Sequence, residues 1–562
     1  MSPSQNKSNK PDQERPQHQA GFSPGVTIIA ITDKPPSTLA TGAARTCYAS
    51  KGIILPDEAE NNAELKKKIY QSTATAGHNT VQQHHHITFA IDNISRHATW
   101  QFLHAHPFYN SEQVSQRYVT VKPDNFITPP LTNTNKACFV RHVNDAVKAY
   151  YELIELLTPI TKEALLERFP AKRKQLRTKE GERAILRDAK KKAQEVARYV
   201  LPVAASTRLY HTISAITLQR YHQAKNTLGT PTEVRALVDA MYSAVLATDP
   251  DFAMASFAPP PQEETTAWRA LTGMAKSAGY DESPEGLETF IRSEACAHEV
   301  HRQREVFEND LEGRVVKLLD GHEHNEAILA RAARAVLGPA GAHLTDEELL
   351  RTVLDPASNP HLSTPTNTST ISPVTRAMQS ITYTFMKKLS HTADSQDQRH
   401  RMVPSTTPLL FLEVAADPYF ITPELIKEAG GAAQRIYTQA IHNLYRGIKT
   451  LLNKGTPAEF SQYLFPNAHA IRIIQQGNLL HLYHKHTMRQ CLNAQEEIWK
   501  ATIQEAEQIR HANPIIGASL APPCVHRKDA HQKPYCPEGP RYCGIPVWNL
   551  EPSALANTPR TI

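Results

Sequence analysis

The feature that most constrains this chain is an internal echo. The stretch "YVLPVAASTRLYHTISAITLQRYHQAKNTLGTPTEVRALV", which begins at Tyr199, has a counterpart in "YLFPNAHAIRIIQQGNLLHLYHKHTMRQCLNAQEEIWKAT", which begins at Tyr463. Setting Pro202 on Pro466 brings Ser214 onto Asn478, Lys225 onto Arg489 and Glu233 onto Glu497 without a gap. A second pair of segments, "DSQDQRHRMV" from Asp394 and "EQVSQRYVTV" from Glu112, is also similar. Such self-similarity points to a diverged tandem duplication, two copies of one architecture rather than one large core. Length agrees, because 562 residues exceed what a single hydrophobic core fills.

Bulk composition narrows the class. Hydrophobic residues at 40% and charged residues at 21% are ordinary for a globular protein. The excess of 62 Lys and Arg over 56 Asp and Glu is mild; it suits an anionic small molecule and does not by itself point to nucleic acid. Most of the 27 histidines read as scattered surface residues. Seven cysteines in so long a chain make no disulfide framework. No apolar run is long enough to span a bilayer, and the polar, Pro-rich start has no apolar signal core. The expectation is a disordered tail, 1–22, on a cytoplasmic protein without a membrane partner.

Local patterns set further expectations. "GVTIIAITD" reads as a buried strand, and Ser37 or Thr38 as the N-cap of a helix after the following prolines. "AELKKKIYQSTATAGH" reads as a helix ending near Gly77, "HHITFAIDNIS" as a strand, and "RHATWQFLHAH" as a helix stopped by Pro107. The charged stretch 162–198 reads as a solvated helical face; the rival reading is a nucleic-acid patch over 172–192. A long helical region is expected after Pro202, and "PTEVRALVDAMYSAVLA" reads as an amphipathic helix with Pro231 at its first turn. Prolines 259–261 mark a linker or insertion. His84, His85 and His86 alternate faces on an extended segment, so they do not share one ion. The tail holds Cys524, His526, His531, Cys536 and Cys543, but not at a Cys-x2-Cys spacing, so no metal is expected.

The segment "GHNTVQQHHHITFAIDNISRHATWQFLHAHPFYNSEQVSQRY" resembles the signature region of the flavin-dependent thymidylate synthases. Gly77-His78, His84, Thr88-Phe89, Ser95-Arg96, Gln101, Ser115 and Arg117-Tyr118 match in order. The resemblance runs from about Val26 to Met241 and again from about Gln462 to Ile498. It implies an α+β, helix-rich chain holding two diverged copies of that fold, each a mixed sheet with long helices. The units expected are 23–250 and 291–512, joined by a linker over 251–290 and followed by a Cys-bearing tail, 513–562.

The implied reaction is reductive methylation of dUMP to dTMP with methylenetetrahydrofolate, FAD carrying reducing equivalents from NADPH, and no cysteine nucleophile. The implied dUMP-binding residues are Gln101, Gln113, Ser115, Gln116, Arg117, Arg198 and Arg489. Guanidinium forks and backbone donors suit a phosphate, and amides suit a pyrimidine edge. The implied FAD-contacting residues are His84, His104, His106, Asn478 and His484. The family's Arg-His-Arg triplet reads here as His104-Ala105-His106, Lys225 replaces an arginine, Ser214 an asparagine, and Gln462 the arginine that Arg198 supplies in the first unit. The first unit keeps Ser115, Arg117 and Arg198 while the second keeps Asn478 and Arg489. One chain would thus supply two unequal subunits, and a homodimer would make a pseudo-tetramer. The eroded triplet keeps a second reading open: a catalytically degenerate relative that binds nucleotide or serves as a scaffold.

Overall fold

The structure, a computed structural model, describes residues 21–558 other than 51, 106, 107 and 228. The first half builds a four-stranded sheet, β1 (Gly25–Ile31), β2 (His86–Ser95), β3 (Asn110–Gln113) and β4 (Ser206–Ser214), in the order β1-β2-β4-β3. Its main helices are α1 (Arg96–His104), α2 (Asn133–Arg168), α3 (Lys179–Ala197), α4 (Ala215–Ala224) and α5 (Thr232–Leu246). The second half repeats the plan. Strands β5 (Val316–Asp320), β6 (Thr382–Ser390), β7 (Ser405–Thr406) and β8 (Ala470–Asn478) form a sheet in the order β5-β6-β8-β7. With it go α6 (His391–Asp397), α7 (Gly431–Asn453), α8 (Leu479–Arg489) and α9 (Glu496–Ala512). Every strand pairing is antiparallel, so the sheets are not mixed.

The halves meet through reciprocal contacts. Pro202 bridges Pro466. Val203 N–H donates to Phe465 O at 2.8 Å, and Asn467 N–H to Leu201 O at 2.8 Å. Ala204 N–H donates to Tyr463 O at 3.1 Å, and Ala468 N–H to Tyr199 O at 2.9 Å. Each bond is the other with the halves exchanged, which is how an isologous two-fold interface is built. Side chains obey the same rule. Ser95 caps α1 and bonds Glu233, whose other donor is Tyr463; Ser390 caps α6 and bonds Glu497, whose other donor is Tyr199. Helices α2 and α7 pack closely across this axis, where a Cβ on Gly447 would meet the His142 ring at 2.8 Å. One hydrophobic core runs through both halves, from Trp100 to Leu520.

Two local expectations are corrected. The region after Pro202 is not one long helical run, because Ser206–Ser214 is the central strand β4. Its inward positions Thr207, Leu209, His211 and Ile213 are buried, and it is paired on both edges. The helix at Pro36–Thr46 starts from Pro35; Ser37 lies within it and bonds Asp249. The stretch 251–290 carries helices at Thr266–Ser277 and Pro284–Ile291, with Trp268, Leu287 and Phe290 buried. The tail 1–20 and Pro107 lie outside the described residues. Among the described residues no helix is long and apolar enough to cross a membrane.

Candidate functional site

Three arginines converge where the halves meet. The loop after β3 turns on Ser115, whose Oγ accepts from Arg117 N–H at 3.2 Å. Arg117 pairs with Glu195 of α3 and donates through Nη2 to Asn493 O, in the second half, at 3.0 Å. Arg198 caps α3, is buried, and donates to Glu195 O at 3.1 Å. Arg489 ends α8, donating through Nε to His400 Nε2 at 2.8 Å and through Nη2 to Gln396 O at 2.9 Å. Gln396 in turn bonds Gln495 at 2.7 Å.

The electrostatics favour an anion. Burial would raise the Glu195 carboxyl, but Lys192, Arg117 and Arg198 outweigh it and hold it at about 2. Burial lowers Arg489 to about 10, opposed by Asp397 and reinforced by Arg117 and Arg399. Burial also pushes His400 well below the ordinary histidine range, so its neutral Nε2 can accept from Arg489. Two buried donors, Arg198 Nη2 and Gln116 Nε2, have no acceptor within the described residues. Orphaned buried donors are costly, and an oxyanion would satisfy them.

The triplet reading is corrected here. His104 and Arg399 each follow a capping serine, Ser95 or Ser390, by nine positions, at the end of equivalent helices. Arg399-His400-Arg401 therefore stands in the second half where His104-Ala105-His106 stands in the first. The triplet is retained, and "DSQDQRHRMV" aligns with "TWQFLHAHPF", not with "EQVSQRYVTV". Arg399 bonds Glu112 at 2.9 Å, and the Arg401 guanidinium lies 5.2 Å from the Tyr109 ring centre. Both line a cleft of about 250 Å³ whose other wall is β3 and Tyr210.

Of the remaining candidates, Gln116 stays beside the arginine cluster and the others scatter. Gln116 is buried and takes a bond from Asn467 at 3.2 Å. Gln113 sits half-buried at the end of β3, opposite Leu209. Gln101 is half-buried on α1, in the position Gln396 takes in the second half. His84 is exposed before β2. His104 bonds Asp394 of the second half at 2.9 Å. Asn478 caps α8, accepting from His481 N–H at 3.1 Å. His484 lies 6.0 Å from His400, ring centre to ring centre. His106 lies outside the described residues.

The two-fold equivalent of the arginine cluster is disarmed. Leu409 and Phe411 pack against Gly229 where Arg117 meets Asn493. Gln462 takes the place of Arg198, and Lys225, held by Asp239, that of Arg489.

Beneath the triplet lies a buried ionic layer that the sequence reading missed. Lys387, Asp397, Lys485 and Glu505 are all excluded from solvent, with Gln475 and His486 beside them. The same layer in the first half is Ile91, Phe102, Tyr221 and Met241 around His211.

The family model described as "Thymidylate synthase complementing protein" matches residues 27–251 and 317–515. A flavin-dependent thymidylate synthase of Clostridium tetani is 28% identical over 40% of this chain and 84% of its own. That of Nitratidesulfovibrio vulgaris is 28% identical over 39% and 80%, and that of Mycobacteroides abscessus 34% over 33% and 70%. A solved UMP/dUMP methylase, PolB from Streptomyces cacaoi bound with 5-Br dUMP, is 16% identical, covering 42% of this chain and 94% of its own. Its TM-score of 0.29 is too slight a likeness to bear on the fold. With one family match on each sheet-bearing half, the chain belongs to the thymidylate synthase complementing protein family, that of the flavin-dependent thymidylate synthases, and carries two copies of its fold.

Proposed function

We propose that this chain is a flavin-dependent thymidylate synthase that methylates dUMP to dTMP with methylenetetrahydrofolate, and that it builds one composite nucleotide site from its two halves. The observation that carries this reading is the convergence of Arg117 and Arg198 from the first half with Arg489 and Gln396 from the second. A phosphate dianion would accept from the three guanidiniums and from the orphaned Arg198 Nη2 and Gln116 Nε2. Ser115 would add a hydroxyl, and Gln396, whose backbone O accepts from Arg489, would offer a side-chain amide for a pyrimidine edge. Gln101 and Gln113 stay outside this proposed set. The role given to the first half's triplet passes to Arg399 and Arg401.

The residues present also fit FAD. Arg399 and Arg401 face a cleft walled by Tyr109 and Tyr210, where guanidiniums suit a pyrophosphate and aromatic faces a flat ring system. His400 stands between these two arginines in sequence, accepts from Arg489, and has the His484 ring 6.0 Å away. When bound, the flavin would supply the hydride that converts the transferred one-carbon group to a methyl, after reduction by NADPH. The chain's own work is to hold nucleotide and flavin in register and to keep the phosphate charge matched. Units 23–250 and 291–512 would act as the two subunits, and a homodimer would carry two sites in place of four.

The test is a visible absorption spectrum of the protein with FAD, before and after dUMP, followed by assay of dTMP formation. A retained flavin band perturbed by dUMP, with turnover, supports the reading. Flavin that washes away in the presence of dUMP would support the degenerate, scaffold reading instead.

A further inference from the structure

The buried layer beneath the triplet is built around one amide. Lys387 and Lys485 both donate to Gln475 Oε1, the second at 2.6 Å. An ammonium has only donors, so the two lysines fix which way the amide faces and leave its Nε2 to the other side. There Gln475 Nε2 donates to Asp397 Oδ2 at 2.9 Å and to Val403 O at 3.2 Å. Asp397 is the last residue of α6, and Val403 follows the triplet. A single side chain therefore holds both ends of the turn that carries Arg399, His400 and Arg401. Inside the turn, His400 N–H donates to Asp397 O at 3.0 Å and Val403 N–H to His400 O at 2.8 Å. His400 accepts from Arg489 at 2.8 Å, which ties the turn to the arginine cluster.

The two halves differ here. Gln475 on β8 and His211 on β4 stand in equivalent positions. Around His211 the layer is apolar, and the place of the triplet is taken by His104-Ala105-His106. The layer is charged in the half whose triplet keeps its arginines and uncharged in the half whose triplet has lost them. Stability does not account for the difference, because packed apolar side chains in place of a buried ionic set are often neutral or stabilising. This chain already contains such a packing in the same fold. Orientation does account for it: hydrogen bonds are directional where apolar contacts are not, and guanidiniums that must meet a pyrophosphate need one fixed place.

We propose that Gln475, oriented by Lys387 and Lys485, and Asp397 are positioning residues that hold the turn 398–402 so that Arg399 and Arg401 face the cleft while His400 meets Arg489. Their effect on flavin binding rests on the FAD reading given above; their hold on the turn does not.

The full chain is compared with three variants. Gln475→Met removes the amide and leaves both lysines their carboxylates. The five-residue transplant K387I, D397F, Q475H, K485Y and E505M installs the apolar layer of the first half. Tyr463→Phe costs stability elsewhere, in the Glu233 network. One readout is limited trypsin digestion without flavin, with cleavage after Arg399 and Arg401 followed by mass spectrometry against cleavage in the rest of the chain. The other is the FAD dissociation constant from flavin fluorescence. In Gln475→Met and in the transplant, cleavage at the two arginines should rise about ten-fold or more and FAD should bind about ten-fold or more weakly, whereas Tyr463→Phe changes neither. The transplant separates orientation from stability, because it loses flavin while resisting urea. Unchanged cleavage in Gln475→Met overturns the proposal, as does an equal change in Tyr463→Phe, or an unchanged FAD affinity where the wild type binds FAD. A wild type that holds no FAD sinks the FAD reading and leaves cleavage to decide this one. A transplant that fails to fold leaves the decision with Gln475→Met.

Discussion

Replacing Asp397 by Asn tests the buried ionic layer under the arginine triplet. The carboxylate lies 3.6 Å from Lys387 Nζ and 3.2 Å from Lys485 Nζ. At an effective dielectric near 20, each attraction is worth about 5 kcal/mol gross, most of it offset by desolvation. Removing one partner leaves the two ammoniums with Glu505 as their one carboxylate beside the Gln475 amide oxygen, and breaking such a buried set costs about 3–5 kcal/mol. The unfolding constant should therefore rise by roughly a hundred- to a few thousand-fold. The first half shows how the same layer is built without charge. Combining Lys387→Ile, Asp397→Phe, Gln475→His, Lys485→Tyr and Glu505→Met transplants Ile91, Phe102, His211, Tyr221 and Met241, and should recover most of the loss. Urea unfolding followed by tryptophan fluorescence measures both. A cost below about 1 kcal/mol for Asp397→Asn, or a transplant less stable than the single variant, would refute the argument. The pH dependence has a definite sign. Burial would raise the Asp397 and Glu505 carboxyls, but Lys387 and Lys485 outweigh it and hold both well below the usual range. Their stabilisation is present above an unfolded pKa of about 4 and lost as pH falls toward the folded values, a loss the transplant should lack.

Other outcomes follow from the same geometry. Arg117→Ala should weaken dUMP binding by about 10- to 100-fold, the worth of one charge-assisted contact, while Lys225→Ala at the disarmed equivalent leaves calorimetric affinity unchanged. Tyr199→Phe and Tyr463→Phe each leave a buried glutamate one donor short and should destabilise by similar amounts, about 1–3 kcal/mol, in thermal melts. Burial raises Glu233 to about 7, so its contribution to stability is greatest below its unfolded pKa near 4.5 and declines by about 3 kcal/mol as pH rises through 7. Melts of Glu233→Gln between pH 5 and 8 should show a flatter profile.

Strand β2 was legible because the large apolar residues Ile87, Phe89 and Ile91 alternate with His86, Thr88, the small Ala90 and Asp92. Strand β4 was not, because a buried histidine, His211, fills the inward position between Leu209 and Ile213 and leaves apolar residues four apart, the spacing of a helix. The pairing of Pro202 with Pro466 could be read from the echo and is the contact on the internal two-fold. The second triplet was written in full in the sequence yet set against the wrong partner, since Gln-Arg occurs in both segments. Aligning on the helix-capping serines, Ser95 and Ser390, would have found it. The ionic layer was invisible because its four charged members come from one strand and three helices far apart in sequence.

The most direct test of the account is the stoichiometry of dUMP binding, measured by isothermal calorimetry on the FAD-loaded protein. The composite site predicts one dUMP per chain, bound about 10- to 100-fold more weakly in both Arg117→Ala and Arg489→Ala although these residues belong to different halves. Two dUMP per chain, or binding that survives either substitution undiminished, would contradict it.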